Sequence, residues 1–147
     1  MNVNCFLGAN SAGGFCSLYG GFCSGEGDFL HLIKAGPGGG KSGFMRRIAQ
    51  AAADHGYDTE CVLCSGDPDS LDGVYIPELH VGFMDATAPH ACEPANFAYN
   101  SDYVNLGRFC GQISDPIIPR LTDEYRSMYK TAYAYLAAAG SVANAEI

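Results

Sequence analysis

Gly36-Pro37-Gly38-Gly39-Gly40 cannot lie inside a helix or a strand, yet it separates two segments that read as one of each. Before it, Asp28 to Ala35 is mostly apolar, as strands buried on both faces tend to be. After it, Lys41 to about His55 reads as a helix, with Phe44, Met45, Ile48, Ala49 and Ala52 on one face and Gly56 as its stop. Thr59 to Cys64 reads as a second short strand, so the region predicts a strand–loop–helix–strand unit.

Ala35-Gly36-Pro37-Gly38-Gly39-Gly40-Lys41-Ser42 fits the phosphate-loop pattern, with Ala where the first Gly usually stands. The chemistry accounts for each position. Glycines accept the positive φ that turns successive amides into one concavity, and a helix N-terminus behind them favours an anion. Gly36, Pro37, Gly38, Gly39, Gly40, Lys41, Ser42 and Gly43 are therefore the expected nucleotide contacts. Lys41 would meet the β- and γ-phosphates, the Ser42 hydroxyl would ligate magnesium, and the Gly43 amide would reach the α-phosphate. The expected ligands are ATP and Mg2+.

Such a site needs a carboxylate at the end of a buried strand to hold the metal. Val81-Gly82-Phe83-Met84-Asp85 has that form, which makes Asp85 a metal ligand and, with Lys41, a catalytic residue. Asp67 and Asp69 compete for the role or would meet a substrate. The residue after Asp85 is Ala86, not a Glu, so the group that orients water is left among Thr87, His90 and Glu78. Arg108, Arg120 and Arg126 are candidates to reach a γ-phosphate, and solvated helix faces explain them equally well.

Elsewhere, Asn4 to Gly27 reads as irregular, with a short helix near Phe15 to Phe22, and Ser65 to Leu79 reads as a polar loop with one helical turn. His80 to Asp85 is a third strand. Helix returns near Asn105 and again from Asp123, where Thr122 is a candidate N-cap and Tyr125, Met128, Tyr129, Ala132, Tyr133 and Leu136 form an apolar stripe suited to a core or an interface. The expected fold class is α/β, a three-layer α/β/α phosphate-loop domain with a mainly parallel sheet, occupying residues 1–147 as a single domain. Three strands make a thin sheet, which suggests a chain truncated at its C-terminus.

The formal charge of −8, with only three Lys and five Arg, speaks against a nucleic-acid surface. No apolar run approaches the roughly 20 residues that span a bilayer, and no basic segment precedes a hydrophobic one near the N-terminus. With seven cysteines, an odd number, reduced thiols and a cytoplasmic location are the simpler expectation. Cys61 and Cys64 have zinc-like spacing that His90 and Cys92 would complete, but residues three apart on a strand face opposite ways. No Asn-Lys-x-Asp guanine-reading motif is present, which favours ATP over GTP.

The phosphate loop, Cys64-Ser65-Gly66-Asp67-Pro68-Asp69-Ser70-Leu71-Asp72-Gly73-Val74, Ile76-Pro77-Glu78-Leu79, Phe6-Leu7-Gly8-Ala9-Asn10-Ser11 and Asp85-Ala86-Thr87-Ala88-Pro89-His90 together resemble the predicted P-loop ATPases of spore-forming clostridia and bacilli. The resemblance implies two phosphate-loop modules in tandem, of which this chain matches part of the first. It implies nucleotide binding by Gly36 to Ser42 and an acid at Asp85, with Gly39 replacing a family threonine. Three functions follow as expectations: slow Mg-dependent ATP hydrolysis, a small-molecule or nucleotide kinase using Asp67, Asp69 and Asp72, or a non-catalytic nucleotide sensor. A homo-oligomer or a second phosphate-loop module would be the protein partner.

Overall fold

The computed structural model describes residues 3–87, 93, 96, 98–111 and 116–145. In chain order its elements are β1 (Val3–Cys5), β2 (Gly8–Ser11), β3 (Gly14–Ser17), a 3-10 turn (Tyr19–Gly21), β4 (Phe29–Lys34), α1 (Lys41–Asp54), β5 (Glu60–Leu63), β6 (Leu71–Ile76), a 3-10 turn (Pro77–Leu79), β7 (Val81–Asp85), β8 (Ser101–Asn105), a 3-10 turn (Leu106–Phe109) and α2 (Ile117–Ala145). They divide into two compact units. One comprises the segment up to Gly8 and Ser17–Cys110; the other comprises Ala9–Cys16 and the chain from Gly111 onward.

The first unit is built on a six-stranded sheet in the order β1-β5-β6-β7-β4-β8. This corrects the expectation of a three-layer α/β/α fold with a mainly parallel sheet. The sheet is mixed: β1 pairs with β5, and β4 with β7 and β8, in parallel, whereas β6 runs antiparallel to both β5 and β7. The helix α1 packs on it, against β6 and β7. β4 and β5, the strands either side of α1, are separated in the sheet by β6 and β7.

The strand β6 replaces the loop expected over Ser65 to Leu79. Asp72 and Gly73 made that stretch look solvated, but both are buried. The Tyr19 hydroxyl donates to Asp72 Oδ2 at 2.7 Å, which offsets the carboxylate's loss of water. Gly73 leaves space that the Phe22 ring fills, since a Cβ there would stand 3.1 Å from Phe22 Cζ. The region around Asn105 is likewise strand β8 followed by a 3-10 turn, not a helix. The glycine-rich start holds three short strands, and the expected helix at Phe15 to Phe22 reduces to the turn at Tyr19–Gly21.

α1 lies where the periodicity predicts. Met45 and Ala52 are buried, and Phe44, Ile48 and Ala49 pack on a core of Ile33, Met45, Cys61, Leu71 and Val74. Each such fully buried aliphatic side chain contributes roughly 1.5–3 kcal/mol. The helix ends in a Schellman motif: Gly56, at φ 84°, donates to the Ala53 carbonyl and Tyr57 donates to that of Ala52. At the entry to β4, Asp28 accepts hydrogen bonds from the Gly25 amide, the Tyr75 hydroxyl and His80 Nδ1 at 2.8–3.0 Å.

The second unit holds most of the two-stranded sheet β2–β3 and the 29-residue α2. The helix begins six residues before Asp123, so Thr122 is not an N-cap; its hydroxyl donates to the Ile118 carbonyl instead. Tyr133 Oη donates to Asn10 Oδ1 at 2.6 Å, and Gly140 approaches Ala12 so closely that a Cβ would stand 2.7 Å from the alanine methyl. No described helix is long and apolar enough to cross a membrane.

Candidate functional site

The parallel relation of β4 to β7 puts the segments that follow them, Ala35–Gly40 and Ala86–Thr87, at one edge of the sheet. Because β6 runs the other way, its first residue, Leu71, starts at that same edge. The loop closes on itself through Gly39 N–H to the Gly36 carbonyl at 3.0 Å. Gly38 and Gly40 take φ of 71° and 80°, the left-handed region that favours glycine, and Gly40 is the N-cap of α1. Among the described residues no partner within the chain engages the amides of Gly38, Gly40, Lys41, Ser42 and Gly43, and the last three open the helix.

Gly39 has a further reason to be glycine. A Cβ there would lie 2.7 Å from Ala35 Cβ and 2.9 Å from the Gly36 carbonyl oxygen. The turn therefore leaves no space for a side chain at this position.

Lys41, expected of the loop, and Asp85, expected of the strand end, meet. Lys41 Nζ donates to the carbonyls of Ala35 and Gly36 at 3.1 and 3.2 Å, and stands 3.6 Å from Asp85 Oδ2. The Ser42 hydroxyl, one residue on, accepts the Leu71 amide at 2.9 Å, which fixes its oxygen and leaves a second lone pair. Asp85 is held from its other oxygen, where both the amide and the hydroxyl of Thr87 donate to Oδ1. Thr87 therefore positions the carboxylate, a role different from the water-orienting one considered for it.

Other candidates separate from the loop. Glu78 lies in the turn joining the end of β6 to the start of β7, at the opposite edge of the sheet, where it accepts the Asp58 amide. Asp72 is committed to Tyr19, whose phenol is driven upward by burial first and by the carboxylate second. Asp67 folds its own turn, accepting the Ser70 hydroxyl at 2.7 Å and the Asp69 amide at 3.3 Å, while Asp69 is exposed on the same connection. Arg108 lies in the turn after β8, on the loop's edge of the sheet. Arg120 and Arg126 belong to the second unit and pair there with Glu124 and Asp123. His90 and Cys92 fall outside the described residues, and those described hold no group of three or more His, Cys, Asp or Glu suited to a metal.

Lys34 was not anticipated. It ends β4, donates to the Ala86 carbonyl at 2.7 Å, approaches Glu93 at 3.7 Å and lies over the Tyr103 ring. Its bond to Ala86 ties the backbone beside Asp85 to the strand that feeds the loop. Only its position at the strand's last residue could have marked it.

An arrangement of free amides, one lysine, one hydroxyl and one carboxylate is suited to a polyphosphate and a hard cation. Magnesium takes oxygen donors and keeps several of its waters, so one carboxylate and one hydroxyl suffice from the protein. Comparison with family models, with curated proteins and with solved structures gives no match to this chain.

Proposed function

We propose that the chain binds ATP with magnesium at Gly36–Gly43 and hydrolyses it slowly. The observation that carries this reading is the meeting of Lys41 with Asp85 at 3.6 Å beside a loop of free amides at the start of α1. The resemblance of the loop and the Asp85 strand to P-loop ATPases supports it. Lys41 would exchange the Ala35 and Gly36 carbonyls for phosphate oxygens, a stronger partner because both groups are charged. Ser42, anchored by Leu71, and Asp85, anchored by Thr87, would hold magnesium, which when bound neutralises charge building on the β- and γ-phosphates. The residue after Asp85 is Ala86, which offers no side chain to orient water, and this supports slow turnover.

The test is calorimetric titration with ATP and magnesium, beside Lys41→Ala and a GTP control, followed by phosphate release. Loss of binding in Lys41→Ala supports the loop as the site. Magnesium-dependent phosphate release that persists after both Ser42→Ala and Asp85→Ala rejects it.

A second reading, transfer of the phosphoryl group to an acceptor hydroxyl, is favoured by exposed Asp69 on the connection from β5 to β6, at the loop's edge of the sheet. Phosphate appearing on one class of acceptor, with turnover raised by that class alone, distinguishes it from hydrolysis.

A further inference from the structure

Leu121, Met128, Tyr135 and Val142 recur every seven residues along α2, and Ile118, Tyr125, Ala132 and Ala139 recur at the same period three residues before each. These are the a and d rows of a coiled-coil seam, continued over four heptads. Both rows face water: Leu121 is 49% exposed, Tyr125 56%, Met128 70%, Tyr135 74% and Val142 63%. The contacts that α2 makes within its own unit use another face. Its partly covered residues are Thr122, Tyr129, Tyr133 and Gly140, and Tyr133 and Gly140 meet Asn10 and Ala12 of the β2–β3 pair. That face lies roughly a quarter-turn round the helix from the seam.

We infer that α2 pairs along this seam with α2 of a second copy of the chain, making the protein a homodimer. A strict seven-residue period suits another helix, because knobs-into-holes packing is what holds two helices at 3.5 residues per turn. Charge favours a copy of the same helix. No charged side chain lies in either row, and of the flanking positions only Glu124 is charged, so two copies oppose no like charges in either orientation. The charges along the whole of α2 are Arg120, Arg126 and Lys130 against Asp123 and Glu124. Arg120 pairs with Glu124 at 3.1 Å and Arg126 with Asp123 at 3.8 Å. In a chain of formal charge −8, this near-neutral helix is where two copies can meet without repulsion. A helix lying on a membrane would instead carry a strongly basic polar face. Area is also adequate: the exposed seam side chains offer on the order of 700 Å2 per copy, close to the ~800 Å2 each partner buries in a standard interface.

The inference is tested by sedimentation velocity on the full chain without nucleotide, from micromolar to submillimolar concentration, with helicity followed by circular dichroism. A dimer is expected, and Met128→Glu or Tyr135→Glu should weaken it about 30-fold or more, as expected of a central anchor. Ser127→Glu, off the seam on the exposed surface, should leave it unchanged. If Met128→Glu lowers helicity, Met128→Ala, which favours a helix, must still weaken the dimer. A monomer throughout the range, a dimer indifferent to the seam variants, or a monomer that docks through α2 on phosphatidylcholine vesicles would each overturn it.

Discussion

Lys41 Nζ lies 3.6 Å from Asp85 Oδ2, with both side chains nearly out of water, and also donates to two carbonyls of the loop that precedes it. The ammonium thus has three acceptors, all ending where a phosphate would arrive. Replacing it by Ala removes a charge-assisted contact worth about 1.5–3 kcal/mol, so ATP should bind roughly 10–100-fold more weakly by calorimetry. The fold should survive, because Asp85 keeps both Thr87 donors. An unchanged dissociation constant in a folded Lys41→Ala protein would remove the loop as the site.

Gly36 and Gly39 stand three residues apart in the same loop and should respond differently to Ala. A Cβ at Gly36 meets nothing within 4 Å, whereas one at Gly39 meets Ala35 Cβ at 2.7 Å and backbone at 2.9 Å. Gly39→Ala must therefore move the loop, and its overpacking should cost about 1–3 kcal/mol. Gly36→Ala should melt near the parent temperature. Thermal denaturation of the two variants checks the order; equal melting temperatures would mean that the loop yields freely.

The hydroxyl of Tyr19 donates to buried Asp72 at 2.7 Å across 53 residues of sequence. Tyr19→Phe keeps the ring and removes that donor from a carboxylate only 4% exposed. The loss should be about 1–3 kcal/mol in urea unfolding at neutral pH, the cost of leaving a buried group short of a partner. Nucleotide affinity should change little, which separates this structural carboxylate from Asp85.

The same pair explains why part of the fold was not legible in the sequence. The strand β4, the loop and α1 are local: apolar runs, glycines and a 3.6-residue period all point one way. β6 is not local. Asp67, Pro68, Asp69, Asp72 and Gly73 look like a solvated loop until Tyr19 and Phe22, about 50 residues earlier, supply a donor and a ring. One antiparallel strand in the middle of the sheet then changes the fold class while leaving the edge that carries Lys41, Ser42 and Asp85 intact. Those three were identifiable because motif and strand-end position each name them. Thr87, Leu71 and Lys34, which hold that edge together, act partly through backbone atoms and carry no motif. On α2 the tyrosine stripe was visible, but Tyr129 and Tyr133 belong to the face that meets the β2–β3 pair. The seven-residue rows beside it become distinct only once their exposure is known.

Asp28 makes the acid behaviour of the fold predictable. Burial by itself would raise its pKa, but hydrogen bonds from Tyr75, His80 and the Gly25 amide outweigh it and hold the carboxyl below the usual range. A carboxyl depressed in the folded state contributes stability above its unfolded value, near 3.9, and loses it as pH falls through the folded value. Asp28→Asn should therefore lower stability by about 1–3 kcal/mol above roughly pH 5, with the gap narrowing as the pH drops below about 4. Cys23 and Tyr75 do not titrate in this window, because burial, with Asp28 beside them, pushes each up to about 12. Urea unfolding of both proteins between pH 3 and 7 measures the gap. A gap that widened toward acid would mean that Asp28 folds protonated and that its three donors do not outweigh its burial.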